Sequence, residues 1–452
     1  MVNVIKLSKG LDINLKGQAA KEWLNVSRPT RYGLVPDDFT GITPKVAVKE
    51  QEHVLAGSPL FFDKDYPEVK IVSPVSGTVT GVVRGERRKV LVITVEADAQ
   101  TEYVNFGKKD VATLSGEEIK ATLCEAGLFA FIRQRPYDVI ANPNVTPKAI
   151  FISAFDTAPL APNFEFQLKG QESYFQTGLD VLAKIAKTYL GICACQTNRA
   201  LTAAKNVTVT TFKGKHPAGN VGVQIHHTLP INKGETVWTL SPEAVIFIGR
   251  LFQTGHIDLT RTVAVTGSEL RHTGYCKLMV GAQLTDLFLG NAYREESLRY
   301  ISGNALTGKR IASDGFLGAF DSQVTVIPEG DDEHEIFGWI MPRFTQFSVS
   351  HSYFSWLIDK LFKRKYVLDA RIKGGERHNI MSHEWDKVLP MDILPEYLIK
   401  AILAKDIDRM EALGIYEIAP EDFALCEFVD SSKMELQHIV REGLDYLRAE
   451  MS

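Results

Sequence analysis

Cysteine is scarce in this 452-residue chain: Cys124, Cys193, Cys195, Cys276 and Cys426 are odd in number and scattered. That usage excludes a disulfide framework and fits a reducing compartment. Neither a zinc-type spacing nor a redox Cys-x-x-Cys occurs, and Cys193 and Cys195 fall in an apolar, helix-like run that predicts two buried thiols. Long apolar stretches are missing as well. None approaches the ~18 apolar residues that a membrane helix needs, and the opening MVNVIKLSKG has no export-signal core. The expectation is a cytoplasmic protein that neither spans a membrane nor is exported. There is no basic excess: 51 Lys and Arg face 55 Asp and Glu, a net charge of -4, which argues against a nucleic-acid binder. With 45% hydrophobic and 23% charged residues, the chain reads as an ordinary globular protein. Its length allows about two to four domains.

Histidine is what stands out. His216, His226 and His227 fall within the stretch Gly214-Lys215-His216-Pro217-Ala218-Gly219-Asn220-Val221-Gly222-Val223-Gln224-Ile225-His226-His227, with no Asp, Glu or Cys among them. A zinc site takes its imidazoles at turn spacing, each oriented by a carboxylate, so this pattern suggests a ligand-facing loop more than a metal cage. Pro217, Gly219 and Gly222 predict that the segment is not helical and that the three rings do not share a face. A surface turn with solvated histidines is the alternative.

Periodicity divides the chain. After an N-terminal segment, 1–43, residues 44–100 alternate apolar and polar in short runs at 45–48, 54–62, 69–72, 77–83 and 90–95, punctuated by Gly and Pro. This predicts a small all-β unit. Residues 101–256 alternate helices, at 117–126, 174–190 and 241–254, with buried strands at 149–154 and 207–212, as in an α/β domain with helices on its sheet faces. Residues 257–330 return to β patterning, with strands at 262–266 and 324–328, a length that suits a β-grasp module. An acidic link opens the C-terminal part, 331–452, which ends in predicted helices at 395–413 and 433–449.

The string VKIVSPVSGTVTGVV resembles the half-barrel of biotinyl/lipoyl carrier domains, which display a modifiable lysine on a hairpin tip. Lys64 in FFDKDYP is the nearest candidate but lacks their flanking pattern, and it reads as a solvated turn lysine.

A wider resemblance follows from LSKGLDINLKG, VSPVSGTVTGVVRGERRKVL, FIRQRPYDVIANPNVTPKAIFISAFDTAPLAP, KHPAGNVGVQIHH, FGWIMPRFTQFSVS and LPMDILPEYLIKAILAKDIDRMEALGIYEIAPEDFALCEFV. Together these are similar to the family of A subunits of Na+-translocating NADH:quinone oxidoreductases, related to the C subunits of Rnf-type complexes and the flavin subunit of respiratory complex I. The resemblance implies an α+β multidomain protein. Its parts are a biotinyl/lipoyl-like β barrel-sandwich, a Rossmann-like α/β domain, a β-grasp (SLBB-like) domain and a helical C-terminal region. The redox relatives follow a Glu-Ala-Gly helix end with a Gly-rich flavin-phosphate loop. Here the frame reads Cys124-Glu125-Ala126-Gly127-Leu128-Phe129-Ala130-Phe131-Ile132-Arg133-Gln134-Arg135-Pro136-Tyr137, without the bare backbone that lets a phosphate approach. The expectation is a flavin fold without its flavin. Cys426 alone, in LCEFVDSSK, stands where those relatives ligate an iron–sulfur cluster through four thiolates, so no cluster is expected either.

A vacated flavin pocket suits a quinone ring. The candidate quinone-binding residues are Phe131 and Tyr137 for stacking, Arg133, Arg135, His216 and His226 as donors to the carbonyl oxygens, and Gly219 in the histidine loop. Core packing of Phe129 and Phe131, or a partner-facing role for the two arginines, is the competing reading. No catalytic, metal or cofactor-binding residue is assigned. The resemblance puts NADH, FMN, FAD and the iron–sulfur centre on partner subunits, with ubiquinone or menaquinone as substrate. It makes this chain a peripheral cytoplasmic subunit held to the inner membrane by membrane partners. Residues 343–373 mix Phe344, Phe347, Tyr353, Phe354, Trp356 and Phe362 with Lys363-Arg364-Lys365, a composition that suits a headgroup region, an acidic partner or a core helix with a basic last turn. The alternatives are a soluble flavin- or NADH-dependent oxidoreductase, a modified carrier and a zinc hydrolase.

Overall fold

The computed structural model describes residues 4–331, 344, 346–350, 353, 355–357 and 364–451. Phe354, Phe362 and Lys363 of the aromatic and basic segment lie outside the described residues.

Strand β1 (Val4–Lys6) is followed by the β-rich unit: β2 (Arg31–Leu34), β3 (Pro44–Val46), β4 (His53–Val54), β5 (Pro59–Asp63), β6 (Lys70–Val72), β7 (Gly77–Arg84) and β8 (Val90–Ala97). They form two sheets, ordered β2-β8-β7-β4 and β3-β5-β6. Alternation explains the pairing, because Val79, Ile93 and Val95 turn inward and are fully buried, while Val83 and Leu91 reach solvent. Lys64 is an exposed turn residue just past β5, whose last residue, Asp63, accepts the backbone N–H groups of Thr43 and Asp65.

The middle of the chain contributes α1 (Gly116–Glu125), β9 (Arg133–Arg135), β10 (Val139–Ile140), β11 (Ala149–Ser153), α2 (Phe164–Gln167), α3 (Glu172–Ile185), β12 (Thr188–Cys193), α4 (Arg199–Thr202), β13 (Thr208–Lys213), α5 (Val221–Thr228), β14 (Val237–Leu240) and α6 (Pro242–Thr254). Local chemistry starts these helices: Ser115 and Glu118 form a capping box for α1, and Ser241 caps α6 with Pro242 as its first residue. One sheet, β1-β13-β12-β11-β14-β9-β10, gathers the strands. It is parallel from β1 to β14, and β9 then runs antiparallel to β14. The predicted helix over 174–190 is corrected, since α3 stops at Ile185 and the following apolar residues form β12. The expectation for Cys193 and Cys195 changes with it. Cys193 ends a strand instead of continuing a helix, Cys195 lies just beyond it and is exposed, and their sulfurs are joined.

Strands β15 (Thr260–Thr266), β16 (Gly274–Met279), β17 (Leu298–Ser302), β18 (Lys309–Ile311) and β19 (Gln323–Pro328), with the short helix α7 (Thr285–Phe288), make a third layer. Its order is β16-β15-β19-β17-β18, with only β15 and β19 parallel. The C-terminal part is helical, with helices Pro395–Leu403, Ile407–Ala412, Ala424–Val429 and Leu436–Met451. The single helix predicted over 395–413 is broken where Lys405 takes a positive φ of 54° and Asp406 caps the next helix.

One apolar core runs through the β unit, the large sheet and the third layer, and a second packs the C-terminal helices. Apolar contacts through Val223, Leu160 and Tyr137 join the second to the α/β part, and a buried polar cluster adds to them. Arg135 on β9 is fully buried and donates to Asp422 Oδ2 at 2.9 Å and Glu421 Oε1 at 2.8 Å, while Arg441 donates to the carbonyls of Tyr137 and Asp138. The pair needs room, and Gly222 supplies it. A Cβ there would stand 2.5 Å from Asp422 Oδ2 and 2.9 Å from Arg135 Nη1. The expectation that Gly222 keeps its segment out of a helix is therefore wrong: α5 forms around it, because close packing outweighs the ~1 kcal/mol propensity penalty.

Two substitutions test this account. Propensity alone has Gly222→Ala stabilising by ~1 kcal/mol, whereas the packing predicts a net loss in urea unfolding. Arg135→Met, which leaves Asp422 buried without its cation, is expected to cost about 3–5 kcal/mol, and adding Asp422→Leu to restore much of it.

Candidate functional site

A cavity of about 280 Å³ opens at the carboxyl ends of β11 and β14, beside the point where the sheet turns antiparallel. Open α/β sheets bind ligands at such ends because the strands stop there while the loops fan apart. Phe131, Arg133, His216 and Gly219 all line it, so four of the seven candidate residues meet in one place.

Phe131 belongs to a single helical turn, Phe129–Phe131, and its ring sits edge-on to Phe39 and Phe247 and beside Phe320. It is both core residue and cavity wall. Phe129 and Ile132 are wholly buried, Phe129 against Trp238. Arg133 lays its guanidinium 4.3 Å from the centre of the Phe320 ring and 3.7 Å from Asp138 Oδ2. Burial works against the Asp138 carboxylate, but Arg133, Arg135 and Arg441 together hold it below the usual range.

His216 is 4% exposed. Its backbone N–H donates to Asp12 Oδ1, and its Nδ1 lies 3.2 Å from Thr157 Oγ1. That hydroxyl also accepts the Gly219 N–H at 2.9 Å, and with a second lone pair and its own proton it can either accept from Nδ1 or donate to it. Burial also pushes the ring's pKa down, against the pull of Asp156, Asp12 and Asp422. The result is a neutral imidazole at the cavity wall whose Nε2 has no hydrogen-bond partner among the described residues. Gly219 has to be glycine, because a Cβ would lie 2.8 Å from the Thr157 amide nitrogen. Its carbonyl accepts from Ser153 Oγ, which fixes the loop to the end of β11.

Three candidates lie away from the cavity lining. Arg135 is committed to Asp422 and Glu421. Tyr137 is partly buried against the C-terminal core. His226 lies in the last turn of α5, its Nδ1 2.7 Å from Glu417 Oε2 while Nε2 accepts the Asp392 N–H. His227 Nε2 contacts the Pro390 carbonyl at 2.7 Å. His226 thus has an acidic partner after all, one supplied from far along the chain. Among the described residues no group of three or more His, Cys, Asp or Glu is arranged to hold a metal.

Other residues in and around the cavity carried no sequence signal. Thr157 is an unremarkable loop threonine, and Asp138 follows an aromatic. Glu243 reads as an ordinary acid in a helix's first turn. Yet Glu243 is 7% exposed, and burial raises its pKa despite Arg261 nearby. Glu421, on the C-terminal side, is pushed up to about 7 by burial against the pull of Arg135, with Asp422 and Asp138 adding to the rise.

The His216 arrangement has a pH signature. A histidine ordinarily titrates near 6.5, and the folded chain holds His216 below that, so between the two values the unfolded chain binds more protons. The His216 contribution therefore weakens stability as pH falls below 6.5 and is level above it. Wild type is expected to lose more stability than His216→Gln between about pH 7 and 5.5, and the ring to titrate below 6.5 by NMR. Identical pH dependence in both proteins, or titration at 6.5 or above, contradicts the assignment.

Comparison with known proteins identifies the family of the chain. Residues 5–98 match the model for the NqrA N-terminal barrel-sandwich hybrid domain, 114–257 the NqrA second alpha/beta domain, and 262–313 the NQRA C-terminal domain. The A subunit of the Na(+)-translocating NADH-quinone reductase of Serratia proteamaculans is 35% identical over 99% of this chain and 100% of its own length. The protein of the same name from Neisseria meningitidis serogroup B is 33% identical over the same shares. A solved NAD+-reducing [NiFe]-hydrogenase overlays 51% of this chain and 52% of its own at 11% identity and a TM-score of 0.33, too slight a likeness to bear on the fold. On its full-length identity to these relatives, the chain belongs to the NqrA family, the A subunits of the Na(+)-translocating NADH-quinone reductase.

Proposed function

We propose that the chain works within a Na+-translocating NADH:quinone reductase as a peripheral subunit on the cytoplasmic side, and that the cavity beside His216 receives a quinone headgroup. The full-length relatives carry the first half of this reading. The cavity carries the second: one face is aromatic, from Phe131, Phe155 and Phe320, and one is polar, where neutral His216 and cationic Arg133 can each donate to a carbonyl oxygen. Among the described residues no helix is long and apolar enough to cross a membrane, so attachment falls to membrane partners in the complex.

Electrons reach the quinone from cofactors carried by those partners: NADH, FMN, FAD and an iron–sulfur centre act there, and this chain supplies the pocket and its hydrogen bonds. Ubiquinone or menaquinone is the substrate. The parallel strands with helices between them support a Rossmann-like reading of 101–256. The order β16-β15-β19-β17-β18, with one parallel pair, supports a β-grasp (SLBB-like) reading of 257–330. The segments 1–43, 44–100 and 331–452 complete this organisation. A soluble flavin- or NADH-dependent enzyme is not favoured, since the relatives matched over the whole length are complex subunits.

Titration of a short-chain ubiquinone into the purified chain tests the pocket. Phe131→Ala and His216→Ala are each expected to weaken binding by about tenfold, roughly 1.4 kcal/mol, while His226→Ala leaves it unchanged. Parental affinity in both cavity variants would remove the quinone assignment and leave family membership standing.

A further inference from the structure

We propose that a second cavity, on the far side of Glu243 from the first, binds a small aromatic oxyanion, meaning a planar ring bearing a carboxylate or phosphate. This cavity, of about 260 Å³, lies between α2, α3, α6 and the β16-β15-β19-β17-β18 sheet, and it shares only Phe164, Gln167 and Glu243 with the first. The proposal is independent of what the first cavity holds.

Charge is the first argument. Arg250 and Arg261 are both more than nine-tenths buried in its wall. Arg250 donates to Gln171 and to the carbonyls of Asp258 and Thr260, and Asp258 Oδ2 stands 3.3 Å from its Nη1. Arg261 spends its two terminal nitrogens on the carbonyls of Ala319 and Asp321. Carbonyl dipoles do not neutralise a guanidinium. The carboxyls acting on Arg261 are Glu243, Asp321 and Asp38; burial pushes the first two toward the neutral form, and it also lowers the pKa of Arg261 itself. At the mouth stand Lys169 and Lys277, both exposed and without an ion-pair partner among the described residues. The cavity thus sets two arginines in its floor and two lysines at its rim against the carboxyls of Glu243 and Asp258, the latter already engaged by Arg250. Such a concave field concentrates anions.

Shape is the second argument. Trp23, 51% exposed, lines the mouth. Its ring is 5.2 Å from Phe166, which in turn lies 4.5 Å from Tyr275, so the indole is propped in place. Lys277 Nζ lies 5.6 Å from the Trp23 ring. Farther in, Phe164, Tyr174 and Phe247 supply aromatic walls. A propped, half-exposed indole beside two unpaired lysines presents a flat apolar face next to positive charge, the complement of a ring with an acidic substituent.

Calorimetric titration of the full chain with AMP and with 4-hydroxybenzoate tests this at two ligand sizes and separates phosphate from carboxylate. At least one is expected to bind saturably with a Kd below about 1 mM, and adenosine or inorganic phosphate alone about tenfold more weakly than AMP. Lys169→Ala, Lys277→Ala and Trp23→Ala alter exposed side chains and should keep the fold, checked by circular dichroism. Each is expected to weaken the tighter probe by about threefold or more, with affinity falling as salt rises. Absence of saturable binding for both probes, or equal affinity in all three variants, overturns the proposal.

Discussion

The buried cluster around Arg135 holds the molecule together at the place that matters. A guanidinium removed from water must be matched closely, and Asp422, Glu421 and Asp138 converge on it from two different parts of the chain. The consequences spread outward. Asp138 also steadies Arg133 at the cavity wall, and Glu421 forms part of the same wall. Asp422 seats against α5 only because position 222 carries no side chain. The C-terminal helices are thereby fixed to the sheet edge, and the cavity gains a side that the α/β part alone would not provide.

Within that frame the site follows from strand direction. Parallel strands β11 and β14 end together, and the loops leaving them diverge, while β9 returns antiparallel beside β14 and brings Arg133 and Phe131 to the same end. Thr157 then holds His216 in place. It contacts the ring at Nδ1 and ties the loop through the Gly219 N–H, while burial keeps the imidazole neutral and leaves Nε2 toward the cavity. Positive charge at this end comes from Arg133, and the aromatic surface from rings that also belong to the core.

Much of this was legible in the chain. The β unit was readable because its strands are half-buried and alternate, with Gly and Pro at the turns. The starts of α1 and α6 were readable because Ser115 and Ser241 cap them by local hydrogen bonds. The family resemblance and four of the cavity residues also came from sequence. What failed did so for long-range reasons. Strand β12 is buried almost throughout, so it has no alternation and merged with α3 into one apolar run. The histidine segment was read as acid-free because Glu417, the partner of His226, lies 191 residues away. Gly222 signalled a broken helix, when its reason is the ion pair pressed against it. Arg135 looked like a ligand donor because no local pattern reveals two carboxylates waiting at 421 and 422.

The proposed quinone position is the end of the sheet beside His216. A high-resolution structure of the chain soaked with a short-chain quinone measures this directly. Ring density is expected between Phe131 and His216, with one carbonyl oxygen within hydrogen-bond distance of His216 Nε2 and the other near the Arg133 guanidinium. Density instead against Tyr137 and His226, with the first cavity filled only by water, would contradict it.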